Sequence, residues 1–478
     1  MLAAWQVLPA VKENSLVHIF TFQNDHLAFD SESGALHGLD DLSVQVLSAY
    51  IAADGSRPPE PVLAVLETDL GPDVRECCTE IESLIQSGDL FAPPAEIRLE
   101  QLYPDQPRIK SMCLHICHDC NLRCAYCFAG TGDFGTGHRS MLDLATGRRA
   151  IDYLIEASGP RTNLDVDFFG GEPLLNWPVV VELVAYCEQR GRETGKTLRL
   201  TLTTNGVLLD PDKSRFIQEH FKNVVLSLDG RPEVHDRMRP DAGGKGSYNR
   251  VAGPIRDFIR LRGTKDYYLR GTYTRHNLDF TADALHLAEF GSQISLEPVV
   301  AAAGSGYEIR PEDVPVIADE YEKLALAVRK ARDAGNPFHF FHFRLDLSRG
   351  PCAFKRVKGC GAGIEYIAVT PEGDIYPCHQ FVGEAAYRLG NVHDDPIALD
   401  QEIQEPFFEL LLPNKAECRQ CWAKYFCSGG CAANSLHVSG TVNGVDPLSC
   451  QLQKKRLECA LWLKLDKSGS DKETPEDA

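Results

Sequence analysis

Short runs of alternating apolar and polar residues open the chain. LVHIFTF and HLAFD flank the turn residues Asn24 and Asp25, and GALHGL follows a second turn over Ser31 to Gly34, so three short strands are predicted. The period then lengthens. DLSVQVLSAYIA starts from an acidic N-cap, PEPVLAVLETDL carries proline in its first turn, and DVRECCTEIESLIQSGDLF has apolar residues three and four apart. These are three helical patterns, with Cys77 and Cys78 expected in the core. A connector over Pro94 to Arg108 with three prolines reads as an interdomain linker.

Beyond it, strand candidates alternate with helical patterns. The strands are SMCLHI, LDVDFFGG, LRLTLTTNG, NVVLSLDG, YYLRGTYT and ISLEPVV, with helices such as LATGRRAIDYLIEAS and DALHLAEF between them. The expectation is an α/β fold, a parallel sheet covered by helices and closed only in part into a barrel. Ligands then belong at the C-terminal strand ends. Next come a helix in ADEYEKLALAVRKARDAG and the aromatic run FHFFHFRLDL. The latter reads as a largely buried strand with His339 and His342 on opposite sides, not as a metal site. Expected units are residues 1–95, 108–305, 306–465 and a polar, disordered tail over 466–478.

At 478 residues the chain is too long for one core. Its formal charge of −19 argues against a nucleic acid or a membrane surface as partner and suits a basic or neutral peptide. No apolar run approaches membrane-span length and no signal-peptide pattern is seen, so a cytoplasmic protein is expected. In that reducing compartment, 17 cysteines in clustered spacings point to metal rather than to disulfides.

Cys120, Cys124 and Cys127 form C-x3-C-x2-C just after the first of the six strands. A 4Fe-4S cube normally takes four thiolates, so three leave one iron open to a small molecule. Zinc with Cys117 or His118 as a fourth ligand is the other reading of the loop. Cys360 and Cys352 precede GDIYPC, in which Gly373 lies five residues before Cys378; Cys418, Cys421, Cys427 and Cys431 follow in C-x2-C-x5-C-x3-C spacing, and then Cys450. Eight thiols match two cubes, or two zinc ions. Cys113, Cys117, Cys187 and Cys459 have no pattern of their own.

The loop with Tyr126 and Phe128 resembles the signature of the radical S-adenosylmethionine (SAM) enzymes, and the later array resembles their SPASM extension. Their co-occurrence decides against zinc. The resemblance implies a partial (β/α)6 barrel and three 4Fe-4S clusters, one binding SAM and two auxiliary. It implies that Gly170, Gly171, Glu172 and Pro173 meet the SAM amino group, that Asn205, Ser227 and Asp229 hold ribose hydroxyls and the methionyl carboxylate, and that Arg239 binds the carboxylate. Interleaved ligation would give Cys352, Cys360, Cys378 and Cys431 to the first auxiliary cluster and Cys418, Cys421, Cys427 and Cys450 to the second. Arg270 and Glu297 are further, unassigned pocket residues. The N-terminal strands and helices resemble the winged-helix recognition element of peptide maturases; a DNA reader or a capping domain are the alternatives, and the acidic helices argue against DNA.

Several extended blocks, among them VVLSLDGRPEVHDRMRP and AVTPEGDIYPCHQFVG, resemble the maturases of six-cysteines-in-forty-five (SCIFF) peptides, within the ranthipeptide and sactipeptide maturases. The maturase of quinohemoprotein amine dehydrogenase is a sibling. Implied is a radical SAM oxidoreductase that joins cysteine sulfur to carbon in a cysteine-rich precursor bound through its leader, with a flavodoxin or ferredoxin as electron donor. The sulfatase-maturing type, which makes formylglycine, is the nearest competitor. It places aspartate after the cysteine of its G-x4-C motif, where this chain has His379. A non-catalytic iron-sulfur peptide adaptor is the alternative outside enzymes.

Overall fold

A computed structural model of the chain describes residues 15–96, 102, 108–347 and 356–465. Most of the expected linker, the tail beyond 465 and Cys352 lie outside these. Strands β1 (Val17–Phe22), β2 (Asp25–Asp30) and β3 (Leu36–Leu39) form an antiparallel meander, followed by α1 (Asp41–Ala52), α2 (Glu60–Leu70) and α3 (Val74–Ser87). Asp40 caps α1, its carboxylate accepting from Ser43 N at 2.7 Å. Both faces of this meander are apolar, for different reasons. Val17 and Ala28 pack on Val46, Tyr50, Leu63, Cys78 and Ile81 of the three helices. Phe20, Phe22, Leu27 and Phe29 instead join the core of the rest of the chain. The module is therefore docked.

The six strand candidates fold as β4 (Ser111–Cys117), β5 (Asn163–Gly170), β6 (Thr197–Thr204), β7 (Asn223–Ser227), β8 (Tyr268–Tyr273) and β9 (Gln293–Pro298). They are neighbours in chain order, and every pair is parallel. Helices α4 (Leu144–Ala157), α5 (Trp177–Thr194), α6 (Pro211–His220), α7 (Pro232–Met238), α8 (Tyr248–Arg262) and α9 (Phe280–Ala288) lie between them, and α10 (Val314–Asp333) follows. Leu114, Val166, Phe168, Leu202, Leu226, Leu269 and Leu296 belong to the helix-covered core. The alternate positions read Cys113, His115, Asp165, Asp167, Thr201, Ser227, Arg270 and Glu297. Side chains alternate across a strand, so one face of the sheet is core and the other is polar.

Two additions extend the sheet. β10 (His339–Phe340) pairs with β9, but the aromatic run is not the strand expected of it. Phe341–Phe343 is a 3-10 turn, which brings the Phe343 ring near Tyr321 and seats His342 Nε2 2.7 Å from Glu297 Oε1. On the other side β11 (Tyr366–Val369) runs parallel to β4, followed by the antiparallel β12 (Asp374–Tyr376) and β13 (Gly390–Asn391). The cysteine-rich segment thus continues the main sheet. Helices α11 (Gln401–Phe408), α12 (Ala416–Arg419), α13 (Lys424–Cys427), α14 (Ala432–Ser439) and α15 (Pro447–Lys464) complete it. No helix among the described residues is long and apolar enough to cross a membrane.

Side chains lock the parts together. Trp462 of α15 stacks on Phe22 at 4.0 Å and donates from Nε1 to Asp25 at 2.8 Å. Trp422 stacks on His18 at 3.9 Å, and Lys424 Nζ meets Glu32 at 2.5 Å. At the β4–β11 junction the buried Glu365 carboxylate meets Lys110 at 2.7 Å, Lys358 at 2.8 Å and Arg161 at 3.1 Å. Removing one member of a buried ionic group leaves the others uncompensated. Glu365→Ala is expected to lower stability by about 3 kcal/mol, read as an earlier unfolding midpoint in denaturant; an unchanged midpoint would contradict this.

Candidate functional site

β4 ends at Cys117, paired with Gly170 at the end of β5. The cysteine loop leaves from this point at the C-terminal edge of the parallel strands. Its main chain is anchored by Arg123 N to Pro240 O at 2.7 Å and Ala125 N to Met238 O at 2.8 Å, and the Arg123 guanidinium donates to the Cys120 carbonyl. Cys120 feels the charges of Cys124 and Cys127, so the three thiols share one electrostatic neighbourhood. Burial pushes Cys120 up to about 12. It also raises Cys124, against the pull of the Arg239 guanidinium. Such thiols stay protonated on their own and give up the proton to a metal centre.

The Gly-Gly-Glu-Pro segment presses directly on this loop. A Cβ on Gly170, whose φ is 126°, would stand 2.3 Å from Cys117 O, and one on Gly171 would stand 1.9 Å from Asp119 O. The two glycines admit the backbone of the cysteine loop itself. Gly171 N donates to Cys117 O at 2.9 Å and Glu172 N to Asp119 O at 2.8 Å. The Glu172 carboxylate is fully buried and accepts from Asn205 N at 2.7 Å, Thr204 Oγ1 at 2.8 Å and Leu174 N at 3.0 Å. Burial raises it to about 7, with the main-chain donors opposing. Pro173 opens a buried 3-10 turn. Asn205 donates to Asn121 Oδ1 at 2.7 Å, tying the β6 end to the same loop.

Tyr126 is held from the other side. Its hydroxyl donates to Asp229 Oδ2 at 2.6 Å and accepts from Arg239 Nη1 at 2.9 Å, while Arg239 and Asp229 pair at 3.5 Å. Asp229 also accepts from Thr272 N at 3.1 Å. Burial raises Asp229 and would lower Arg239, but Tyr126, Cys124 and Asp229 around the guanidinium keep it charged. Ser227 stands half-buried on the polar sheet face at the end of β7. Two donors here are buried without a partner, Arg239 Nε and Asn121 Nδ2. Buried donors of this kind call for a ligand, and an anionic group seated beside the thiols fits them.

The later cysteines gather in two sets. Cys378 feels Cys431 and Cys360. Cys450 feels Cys427, Cys418 and Cys421. Burial pushes Cys378 up to about 12, and Cys418 and Cys450 to about 11. The first set adjoins the SAM-type loop through His379, whose ring lies 5.4 Å from Phe128 and 5.2 Å from Phe169. Tyr366 OH contacts its Nδ1 at 3.0 Å, and burial lowers the imidazole to about 4, leaving it neutral. Arg270 and Glu297 face each other at 3.5 Å on the polar face, and Arg456 of α15 approaches the same carboxylate at 3.6 Å. Sequence reasoning did not find Asn121, Arg456 or the buried Lys415 beside the second set. Their spacing carries no signal.

The Radical SAM superfamily matches residues 114–252, and SPASM, an iron-sulfur cluster-binding domain, matches residues 360–422. The mycofactocin maturase MftC of Mycobacterium ulcerans is 28% identical over 334 residues, 69% of this chain and 84% of that protein. The serine-type anaerobic sulfatase-maturating enzyme of Klebsiella aerogenes is 25% identical over 341 residues, 67% of this chain and 78% of that protein. Two solved structures share the fold: anSMEcpe with bound AdoMet, with a TM-score of 0.60 at 20% identity over 74% of this chain and 93% of its own, and Streptococcus suis SuiB bound to S-adenosylmethionine, with 0.51 at 15% over 92% and 99%.

The domains imply a SAM-binding 4Fe-4S cluster and auxiliary clusters. Gly171→Ala forces the Asp119 carbonyl away and is expected to remove the iron of the first loop while the SPASM iron stays, as read by iron analysis and electron paramagnetic resonance; a full iron complement would contradict the role given to this contact. The chain thus carries a radical SAM domain over residues 114–252 and a SPASM iron-sulfur cluster-binding domain over residues 360–422.

Proposed function

We propose that this radical SAM/SPASM enzyme is a maturase of ribosomally made peptides, and that it closes a thioether between a cysteine sulfur and an unactivated carbon of a cysteine-rich precursor. One observation carries the reading. Phe128 beside Cys127, Phe169 of β5 on the polar sheet face and His379 beside Cys378 are in mutual ring contact, which joins the Cys120/Cys124/Cys127 loop to the Cys360/Cys378/Cys431 set. A peptide segment on that face would lie within reach of both.

When bound, SAM and its cluster supply a 5′-deoxyadenosyl radical that removes one hydrogen atom from the substrate. The residues of this chain hold and orient. Cys120, Cys124 and Cys127 take the cluster and leave one iron for SAM. Arg239, whose Nε is buried without a partner, would offer a donor to the methionyl carboxylate. The Gly170–Pro173 segment would meet the amino group, and Asn205 and Ser227 would hold the ribose hydroxyls. Glu172 and Asp229, already bonded within the protein, would fix the loop and Tyr126 and keep acceptor capacity for the cofactor. Cys352, Cys360, Cys378 and Cys431 would hold the first auxiliary cluster, which would favour the thiolate of a nearby substrate cysteine. Cys418, Cys421, Cys427 and Cys450 would hold the second, which would serve to carry away the surplus electron. Positioning of this kind is what the protein adds to chemistry that belongs to the cofactors.

The N-terminal meander ends in an edge strand, β3, to which an extended leader would add by main-chain hydrogen bonds. The solved relative SuiB is also known bound to a precursor peptide, SuiA. Against the sulfatase-maturing type stands His379, neutral and engaged with Tyr366, where that type has an aspartate. A cytoplasmic location and a flavodoxin or ferredoxin as electron donor complete the proposal.

Coexpression with a cysteine-rich precursor is expected to yield a product two hydrogens lighter per crosslink, with the corresponding cysteines resistant to alkylation. Cys124→Ala abolishes both this product and 5′-deoxyadenosine. Cys421→Ala leaves uncoupled SAM cleavage and blocks the crosslink. A crosslinking Cys124→Ala enzyme, or a product of the same mass as the precursor, would refute the reading.

A further inference from the structure

Lys415 stands between the two SPASM thiol sets, and nothing in the proposed reaction uses it. It follows a 3-10 turn (Leu412–Asn414) and precedes α12, and only 5% of it is exposed. Its ammonium donates to Gly429 O at 2.9 Å and to Gly444 O at 3.1 Å. Gly429 lies in the short turn between Cys427 and Cys431, and Gly444 lies six residues before Cys450. Among the described residues no carboxylate is within ion-pair distance of it. The charges it does feel are those of Cys418, Cys427 and Cys450 from one set and Cys431 from the other. A buried cation without an acidic partner is costly unless something compensates it. Thiolates holding an iron-sulfur cluster supply that negative charge, and they do so on both sides of this residue.

We propose that Lys415 is a positioning residue for charge, set between the two auxiliary clusters to raise their reduction potentials. The proposal rests on the reading that these cysteines hold iron-sulfur clusters. A cluster gains negative charge on reduction, so a fixed neighbouring cation stabilises the reduced form. Net charge and hydrogen bonding around the sulfurs are the levers that set such potentials. Lys415 acts by the first. Its two carbonyl bonds hold the ammonium in place against the ligand-bearing turns. The consequence for the reaction is an auxiliary centre that more readily accepts the electron left on the crosslinked peptide.

The test uses the full chain with Cys120, Cys124 and Cys127 changed to alanine, so that only the auxiliary clusters are reconstituted, in a redox titration followed by electron paramagnetic resonance. Lys415→Met and Lys415→Gln are expected to keep their iron and to titrate at a more negative midpoint than the parent. Lys415→Arg is expected to titrate with the parent. Neutral variants that titrate with the parent, or an arginine variant shifted as far as methionine, would overturn the proposal. If both neutral variants lose auxiliary iron, retention by Lys415→Arg supports the charge, and its loss there too shows a role in tying loops alone. A parent that binds no auxiliary iron would instead sink the ligand assignment on which the proposal rests.

Discussion

The close approach of two main-chain segments governs the site. Gly170 and Gly171 sit against the carbonyls of Cys117 and Asp119 with no room for a Cβ, and two hydrogen bonds of 2.9 and 2.8 Å close the contact. Because Cys117 and Gly170 end adjacent parallel strands, the contact fixes the start of the cysteine loop at the mouth of the sheet. Glu172 then binds the end of β6, and Asn205 returns a bond to Asn121. Tyr126 is caught between Asp229 and Arg239 from the far side. The loop is held at both ends before any cofactor arrives, which is how a site achieves reactive geometry without reorganising at the moment of reaction.

The flanking domains are fixed to this centre by equally specific contacts. β11 continues the main sheet through β4, and the Glu365 cluster of three cations seals the junction. The N-terminal meander lends a second apolar face to the C-terminal helix and to the segment around Trp422, next to Cys421. The peptide-binding surface proposed for that meander is therefore at a set distance from the thiol groups. A precursor tethered there would meet the polar sheet face by the reach of its own chain, a matter of effective concentration more than of affinity at the reacting carbon.

The strands of the meander and of the six-stranded parallel core, with α1 to α4, α9 and α10, were legible in the sequence because hydrophobic period is a local property, and the cysteine groups stood out by their spacing for the same reason. What was hidden depends on partners far away in the chain. The apolar residues on both faces of β1 and β2 gave no hint that one set packs on Trp462, more than 400 residues later. The aromatic run at 338–343 follows the strand pattern, yet it turns after two paired residues because Phe343 and His342 find partners on α10 and β9. Glu172 and Asp229 carry the right chemistry for ligand contact, but nothing local told of the donors from β6, the cysteine loop and β8 that also meet their oxygens. Lys415 has no motif at all; only burial beside thiols separates it from any other lysine.

The central claim is that SAM cleaved at the Cys120/Cys124/Cys127 loop takes hydrogen from a peptide carbon. Isotope transfer tests it most directly: a cysteine-rich precursor deuterated at its side-chain carbons is incubated with reconstituted, dithionite-reduced enzyme and SAM, and the nucleoside product is weighed by mass spectrometry. The account predicts deuterium in 5′-deoxyadenosine, formed together with the crosslinked peptide. Unlabelled 5′-deoxyadenosine beside a crosslinked product would contradict it.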